Sequence, residues 1–158
     1  IDFKHALAQI EFMVQLDAPS SDYTISITEI DIQNVDLSAQ FNYVQSQDVC
    51  EWTNNTDKQT DVIKYSDNFV MLTDESKTYA SAMVMMPQTL SAETSVRIEY
   101  KMVDAEGNVT WGETVKQLTS MQNEWKVSTK YSYLLNFSIE ENSATPTVNL
   151  NLDNVQNY

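Results

Sequence analysis

The chain predicts an all-β sandwich, and three observations predict it. Apolar and polar residues alternate with a period of two in several separate stretches, clusters of Asn, Asp, Ser and Pro lie between them, and no stretch carries a convincing helical pattern. In order along the chain, Ala6, Ala8, Ile10, Phe12, Val14 and Leu16 alternate with Gln9, Glu11, Gln15 and Asp17, the period of a half-buried strand. Phe3, Leu7, Ile10 and Val14 also fit a helical spacing, which leaves a helical first turn as the alternative. Asp17 to Asp22 is a turn cluster. Beyond it Tyr23, Ile25 and Ile27 occupy odd positions and Ile30 and Ile32 even ones, so a β-bulge or a sheet crossing is expected near Thr28-Glu29.

Phe41, Tyr43 and Val44 suggest a short strand. The polar stretch from Gln45 to Asp61, broken only by Val49, Cys50 and Trp52, predicts a mobile surface loop. Val62-Ile63-Lys64-Tyr65 and Asn68-Phe69-Val70-Met71-Leu72 read as short strands, and Tyr79 to Met86 as a strand buried on both faces and ended by Pro87. Val96, Ile98, Tyr100 and Met102 alternate with Arg97, Glu99 and Lys101, then turn through Ala105-Glu106-Gly107-Asn108 into Val109, Trp111 and Val115, which predicts a hairpin. Tyr131, Tyr133, Leu135, Phe137 and Ile139 form another alternation. Val148, Leu150 and Leu152 form the last, set off by Pro146 as an edge strand would be. With only two glycines, Asn, Asp and Ser must fill most turn positions of positive φ.

The 158 residues suit one domain, residues 1–158, and 42% hydrophobic content supports a core. A formal charge of −14, with Arg97 the sole arginine, argues against nucleic acid or an anionic membrane surface as partner. The longest apolar run, Ala82 to Pro87, is far below the roughly 20 residues of a membrane-spanning helix, so no transmembrane segment is expected. Cys50 is alone, so no disulfide forms within the chain, and no Cys/His cluster suggests zinc. The start at Ile1 reads as that of a mature product or of a piece of something longer.

No catalytic constellation emerges. His5 is the single histidine, read as a strand-edge residue bonded to nearby backbone or an aromatic ring. No serine lies in a GxSxG elbow, and two glycines exclude the phosphate-cradling loops. Asn54, Asn55, Asp57 and Asp61 lack calcium-loop spacing and read as a solvated loop; three glycosylation sequons read as chance. No metal and no cofactor are expected. Trp111 and Trp125 fall on alternating stretches where aromatics fill a sheet core, whereas Trp52, in the polar stretch, is the candidate for surface contact with another molecule.

Four motifs in order carry a resemblance: the opening Phe3-Lys4-His5-Ala6-Leu7 running into Ile10 and Phe12, then Met86-Pro87-Gln88, then Trp125 with Tyr131-Ser132-Tyr133, then Val148 to Leu152 closed by Val155 and Tyr158. The chain resembles the fimbrillins, subunits of type V surface pili in Bacteroides-type bacteria, and in particular their C-terminal domain. One departure is Val127-Ser128-Thr129-Lys130, where the family usually carries a glycine. The resemblance implies a transthyretin-like Greek-key β-sandwich of about seven to eight strands, no enzymatic activity, export as a lipoprotein precursor, and a place in fimbriae at the outer membrane. It further implies assembly by strand exchange with other pilin subunits and a part in cell adhesion, with host or bacterial surface molecules as further partners. Val148, Leu150 and Leu152 are then the candidate interface residues. An extracellular carbohydrate-binding sandwich using Trp52 is the alternative.

Overall fold

The computed structural model describes residues 5–19, 22–54, 58–59, 63–64, 70–79, 82–140, 143 and 145–158. Its strands are β1 (Ala8–Asp17), β2 (Tyr23–Gln33), β3 (Val35–Asp36), β4 (Ala39–Val44), β5 (Val49–Asn54), β6 (Lys58–Gln59), β7 (Ile63–Lys64) and β8 (Val70–Met71) in the first half. They continue with β9 (Lys77–Thr78), β10 (Met83–Met85), β11 (Gln88–Thr89), β12 (Ser95–Asp104), β13 (Val109–Gln117), β14 (Glu124–Trp125), β15 (Thr129–Ser138) and β16 (Thr147–Asn157). Eight of these have six residues or more, the number expected, but only six of the eight belong to the sandwich. The described residues contain no helix, so the opening turn is not helical.

Two five-stranded sheets carry the core. The first runs β10-β1-β15-β16 with β9 also on β1; the second runs β13-β12-β2-β7 with β8 also on β2. β1 and β15 are parallel over Gln9↔Lys130 to Asp17↔Ser138, so the N-terminal strand is inserted beside a strand from the far end of the sequence. Parallel neighbours cannot be joined by a hairpin, and here the intervening chain builds the second sheet. Ile10, Phe12, Val14, Tyr131, Tyr133, Leu135 and Phe137 face Ile25, Ile27, Ile30, Ile32, Val96, Ile98 and Tyr100 in one buried cluster. Tyr100 meets Phe137 edge-on across the sheets at 5.7 Å between centroids.

The change of buried face in β2 is a bulge. Glu29 pairs with Glu99 and Ile27 with Tyr100, leaving Thr28 as the extra residue, so that Ile27 and Ile30 both turn inward. Positive φ falls at Asn34, Asp48 and Ser128, as the shortage of glycine requires, at Gly107, and also at Ala18. The β12–β13 hairpin forms in the expected register about Gly107, with Val96, Ile98 and Tyr100 buried. Asn108 locks its turn, its side chain and its backbone N–H both donating to Asp104 at 2.8 Å, which holds that carboxyl below its ordinary pKa.

Three expectations fail. The stretch from Gln45 onward is not a loop through Asp61: residues 45–48 turn the chain, and Val49–Asn54 pairs back on Ala39–Val44. The alternation there spans one short strand and is diluted by polar residues, so periodicity alone misses it. The segment beginning at Tyr79 is not buried on both faces. Met83 and Met85 are buried but Val84 is 58% exposed, because β10 is an edge strand with one face on the core. Finally, His5 precedes β1 rather than lying on it. Of the two short strands read between 62 and 72, only 63–64 and 70–72 fall among the described residues, where Ile63–Lys64 and Val70–Met71 pair with β2. Phe3, Asn55, Asp57 and Asp61 lie outside the described residues.

Candidate functional site

The motif residues converge on one end of the sandwich, where they tie the chain together. Gln88, in β11, accepts from the Asp36 N–H at 2.8 Å through Oε1 and donates through Nε2 to the Asp36 and Met86 carbonyls, both at 3.0 Å. Its strand neighbour Trp125 is wholly buried and donates through Nε1 to the Tyr133 hydroxyl at 3.0 Å, while the Tyr131 hydroxyl accepts from the Lys126 N–H at 3.0 Å. Burial pushes the Tyr133 phenol up to about 12, with the Trp125 bond acting in the opposite direction. These are groups committed to packing, with no reactive atom presented to solvent.

Both ends of the described chain close on the same place. The Leu7 carbonyl accepts from the Ser128 N–H and from the Tyr158 hydroxyl, each at 3.1 Å; Ser128 Oγ donates to the His5 carbonyl at 2.5 Å, and the His5 and Tyr158 rings lie 4.6 Å apart. His5 thus has the aromatic neighbour that was expected. Ser128 stands with φ +53° in the Val127–Lys130 turn, and bonds from its backbone N–H and its hydroxyl, together with the Tyr158 N–H donating to its carbonyl at 2.9 Å, hold a conformation that a serine adopts reluctantly.

Trp52 sits at this same end. It is half-buried on β5, its ring 4.9 Å from Phe41, its Nε1–H donating to the Ala6 carbonyl at 2.7 Å. It forms one wall of an open groove of about 370 Å³ shared with Pro87, Thr89, Glu124, Lys126 and Val127. The β4–β5 hairpin that carries it pairs with neither core sheet. Phe41 and Tyr43 are 44% and 55% exposed on this arm.

The three predicted interface residues lie on β16, the edge of the first sheet. Val148, Leu150 and Leu152 pair with Phe137, Leu135 and Tyr133 and turn inward, Val148 fully buried and the other two partly. The matching edge of the second sheet is β13. Between these edges an open groove of about 310 Å³ is lined by Val115, Gln117, Met121, Val148 and Leu150. Neither β13 nor β16 has a strand on its outer side among the described residues, so each presents a ladder of backbone donors and acceptors.

The outer face of the second sheet holds what sequence reasoning missed. Arg97 binds Asp31 through Nε at 2.9 Å and Nη2 at 2.5 Å, Glu29 at 2.5 Å, Glu113 at 2.7 Å, and Glu99. Burial acts to lower the guanidinium pKa, but the carboxylate bonds outweigh it and raise it further. Glu29, Glu99 and Glu113 lie directly opposite one another on three adjacent strands, an arrangement of like charges that Arg97 offsets by binding all three. Trp111, expected in the core, is 61% exposed on this face. The small residues Thr110, Gly112 and Thr114 alternate with it, and these are the ones turned toward the core, opposite Met102, Tyr100 and Ile98. That alternation was the available signal.

The described residues include no group of three or more His, Cys, Asp and Glu side chains placed to hold a metal, and none of their helices could cross a membrane, there being none. What the geometry defines, among the described residues, is an all-β sandwich with open sheet edges. The family model described as fimbrillin-like matches residues 1–150, and the chain belongs to that family. Among solved structures, a fimbrial protein from Bacteroides vulgatus superposes with a TM-score of 0.65 at 18% identity, covering 98% of this chain and 55% of that one. A candidate cell-adhesion protein from Parabacteroides distasonis gives 0.61 at 12% identity, covering 97% and 51%. The chain thus spans about half the length of the structures it matches. Among curated proteins none matches it.

Proposed function

We propose that the chain is a structural subunit or accessory protein of bacterial surface fimbriae, joining neighbouring pilin subunits by β-strand exchange and contributing to cell adhesion. Membership of the fimbrillin-like family supports the fimbrial or adhesive role and a structural rather than catalytic one. The observation that carries the mode of assembly is the groove between β13 and β16, flanked by two unpaired strand edges. An extended segment laid there would gain backbone hydrogen bonds from an open edge, and its alternate side chains would enter the groove beside Met121, Val148 and Leu150. We place the subunit at the cell surface, associated with the outer membrane, as the C-terminal half of a two-domain protein exported as a lipoprotein precursor. The roughly half-length coverage of its structural relatives supports the two-domain reading.

Removal of residues 145–158 tests the assembly mode. It strips β15 of one of its two partners, leaving β1, and uncovers Leu135 and Phe137, so the remainder should aggregate or capture an added synthetic 145–158 peptide. A truncated protein that stays monomeric, melts with the parent and ignores the peptide would show the segment to be dispensable to its own sandwich, and donation of that segment to a neighbouring subunit would become the favoured reading.

A further inference from the structure

We propose that the outer face of the second sheet around Trp111 is a platform for one uncharged sugar ring of a glycan. This goes beyond the assembly role, since it uses neither β16 nor the groove beside it. Among the described residues Trp111 is the most exposed aromatic side chain, standing on a strand of the second core sheet. Lys101, its direct cross-strand partner, sets its ammonium 5.8 Å from the centre of the indole. Beside the ring lies an open cleft of about 290 Å³ bounded by Trp111, Gly112, Glu99 and Glu113.

The chemistry of that cleft selects its occupant. A pyranose ring presents a flat face of C–H groups edged with hydroxyls, and this site pairs one flat aromatic face with polar groups at once beside it. Arg97 takes one carboxylate oxygen from Glu99 and one from Glu113, which fixes both side chains and leaves the second oxygen of each to accept from a hydroxyl. Lys101 supplies a donor. The exposed apolar side chains of β13 on this face are Val109, Trp111 and Val115, a narrow row that Glu113 interrupts and that lies beside Arg97, Glu99 and Lys101, too small for the apolar centre of a protein interface. Among the described side chains of this face four carboxylates, Glu29, Asp31, Glu99 and Glu113, stand against Arg97 and Lys101, so a sialylated or sulfated sugar is disfavoured relative to a neutral one.

The test is binding of the purified chain to immobilised neutral oligosaccharides of gluco, galacto, manno and N-acetylated types, alongside their sialylated and sulfated counterparts. Binding to at least one neutral glycan is expected, weakened at least tenfold in Trp111→Ala with melting temperature unmoved because Trp111 is exposed, and unchanged in Trp52→Ala. Glu113→Gln keeps an acceptor but removes a charge, and should admit the anionic glycans that the parent rejects. No neutral glycan bound at millimolar concentration, binding indifferent to Trp111→Ala, or equal binding of neutral and anionic forms would each overturn the proposal. Loss of self-association in Trp111→Ala would overturn it as well, in favour of a subunit contact. Failure on any of these counts leaves the 145–158 truncation result untouched.

Discussion

Two hairpins of this molecule are built from similar residues and meet opposite fates. In β12–β13, Val96, Ile98, Tyr100 and Met102 turn into the core; in β4–β5, Phe41 and Tyr43 alternate just as regularly and remain exposed. The first is wedged beside β2 in a five-stranded sheet, whereas the second is a two-stranded arm held to the body through Trp52. A lone two-stranded hairpin is marginal in water, so the arm depends on its anchor while the β12–β13 hairpin depends on the whole core. Alternation therefore specifies a strand but not its stability, which comes from what the strand is laid against.

The comparison can be broken most forcefully by matched charge insertions. Ile98→Asp should unfold the domain, since an unpaired buried charge costs several kcal/mol, on the order of the total stability. Phe41→Asp should cost only about 1 kcal/mol, the loss of its ring contact with Trp52. Equal losses by chemical denaturation would erase the distinction between the two hairpins.

A smaller effect is expected where the β12–β13 hairpin is tightest. Gly112→Ala places its methyl against Tyr100 and should cost about 1–3 kcal/mol, the usual penalty of overpacking. If Gly112→Ala, Tyr100→Leu is no more stable than Gly112→Ala alone, the clash is not the cause.

The anchor of the arm gives a more local readout. Trp52→Phe preserves the aromatic contact with Phe41 but removes the donor to the Ala6 carbonyl, a change of about 1 kcal/mol. Amide exchange over 39–54 should accelerate while the strands of both core sheets keep their protection. A uniform acceleration through the sandwich would make the arm part of one cooperative unit.

The smallest effect is on the outer face of the first sheet. Burial acts to raise the Glu11 pKa, but bonds from Lys130 at 2.8 Å, Ser132 at 2.9 Å and Thr78 at 3.5 Å outweigh it and leave it below its ordinary value. A lowered folded-state pKa stabilises above the unfolded value and loses that contribution as pH falls through the folded one. Melting temperature should therefore decline on acidification, and Glu11→Gln should reduce the decline. An identical acid limb in the variant would exclude Glu11 as a contributor.

Much of the sandwich was legible locally. The half-turn offset between Ile27 and Ile30 announced a bulge, and Thr28 is that bulge; Gly107 announced a hairpin, and the register runs as expected to Gln117. β5 was not legible, because six residues with three polar ones give periodicity too little to work on. Trp52, in the polar stretch, is half-buried and so partly exposed, whereas Trp111, in the clean hairpin, is exposed and not in the core. An alternating pattern has two faces, and when one is Thr-Gly-Thr and the other Val-Trp-Glu-Val, size alone suggests the wrong face for the core.

By itself the sequence determined the strand class, most of the strands, the turn residues and, through four ordered motifs, the family, because these depend on neighbours within a few positions. Tertiary structure decided that β1 runs parallel beside β15, that β13 and β16 border one groove, that four carboxylates gather on the single Arg97, and that Gly112 yields its space to Tyr100. Each of these joins residues far apart in the chain, or on adjacent strands whose facing is fixed only once the sheets have packed. No local period encodes which face of a strand the opposite sheet will cover.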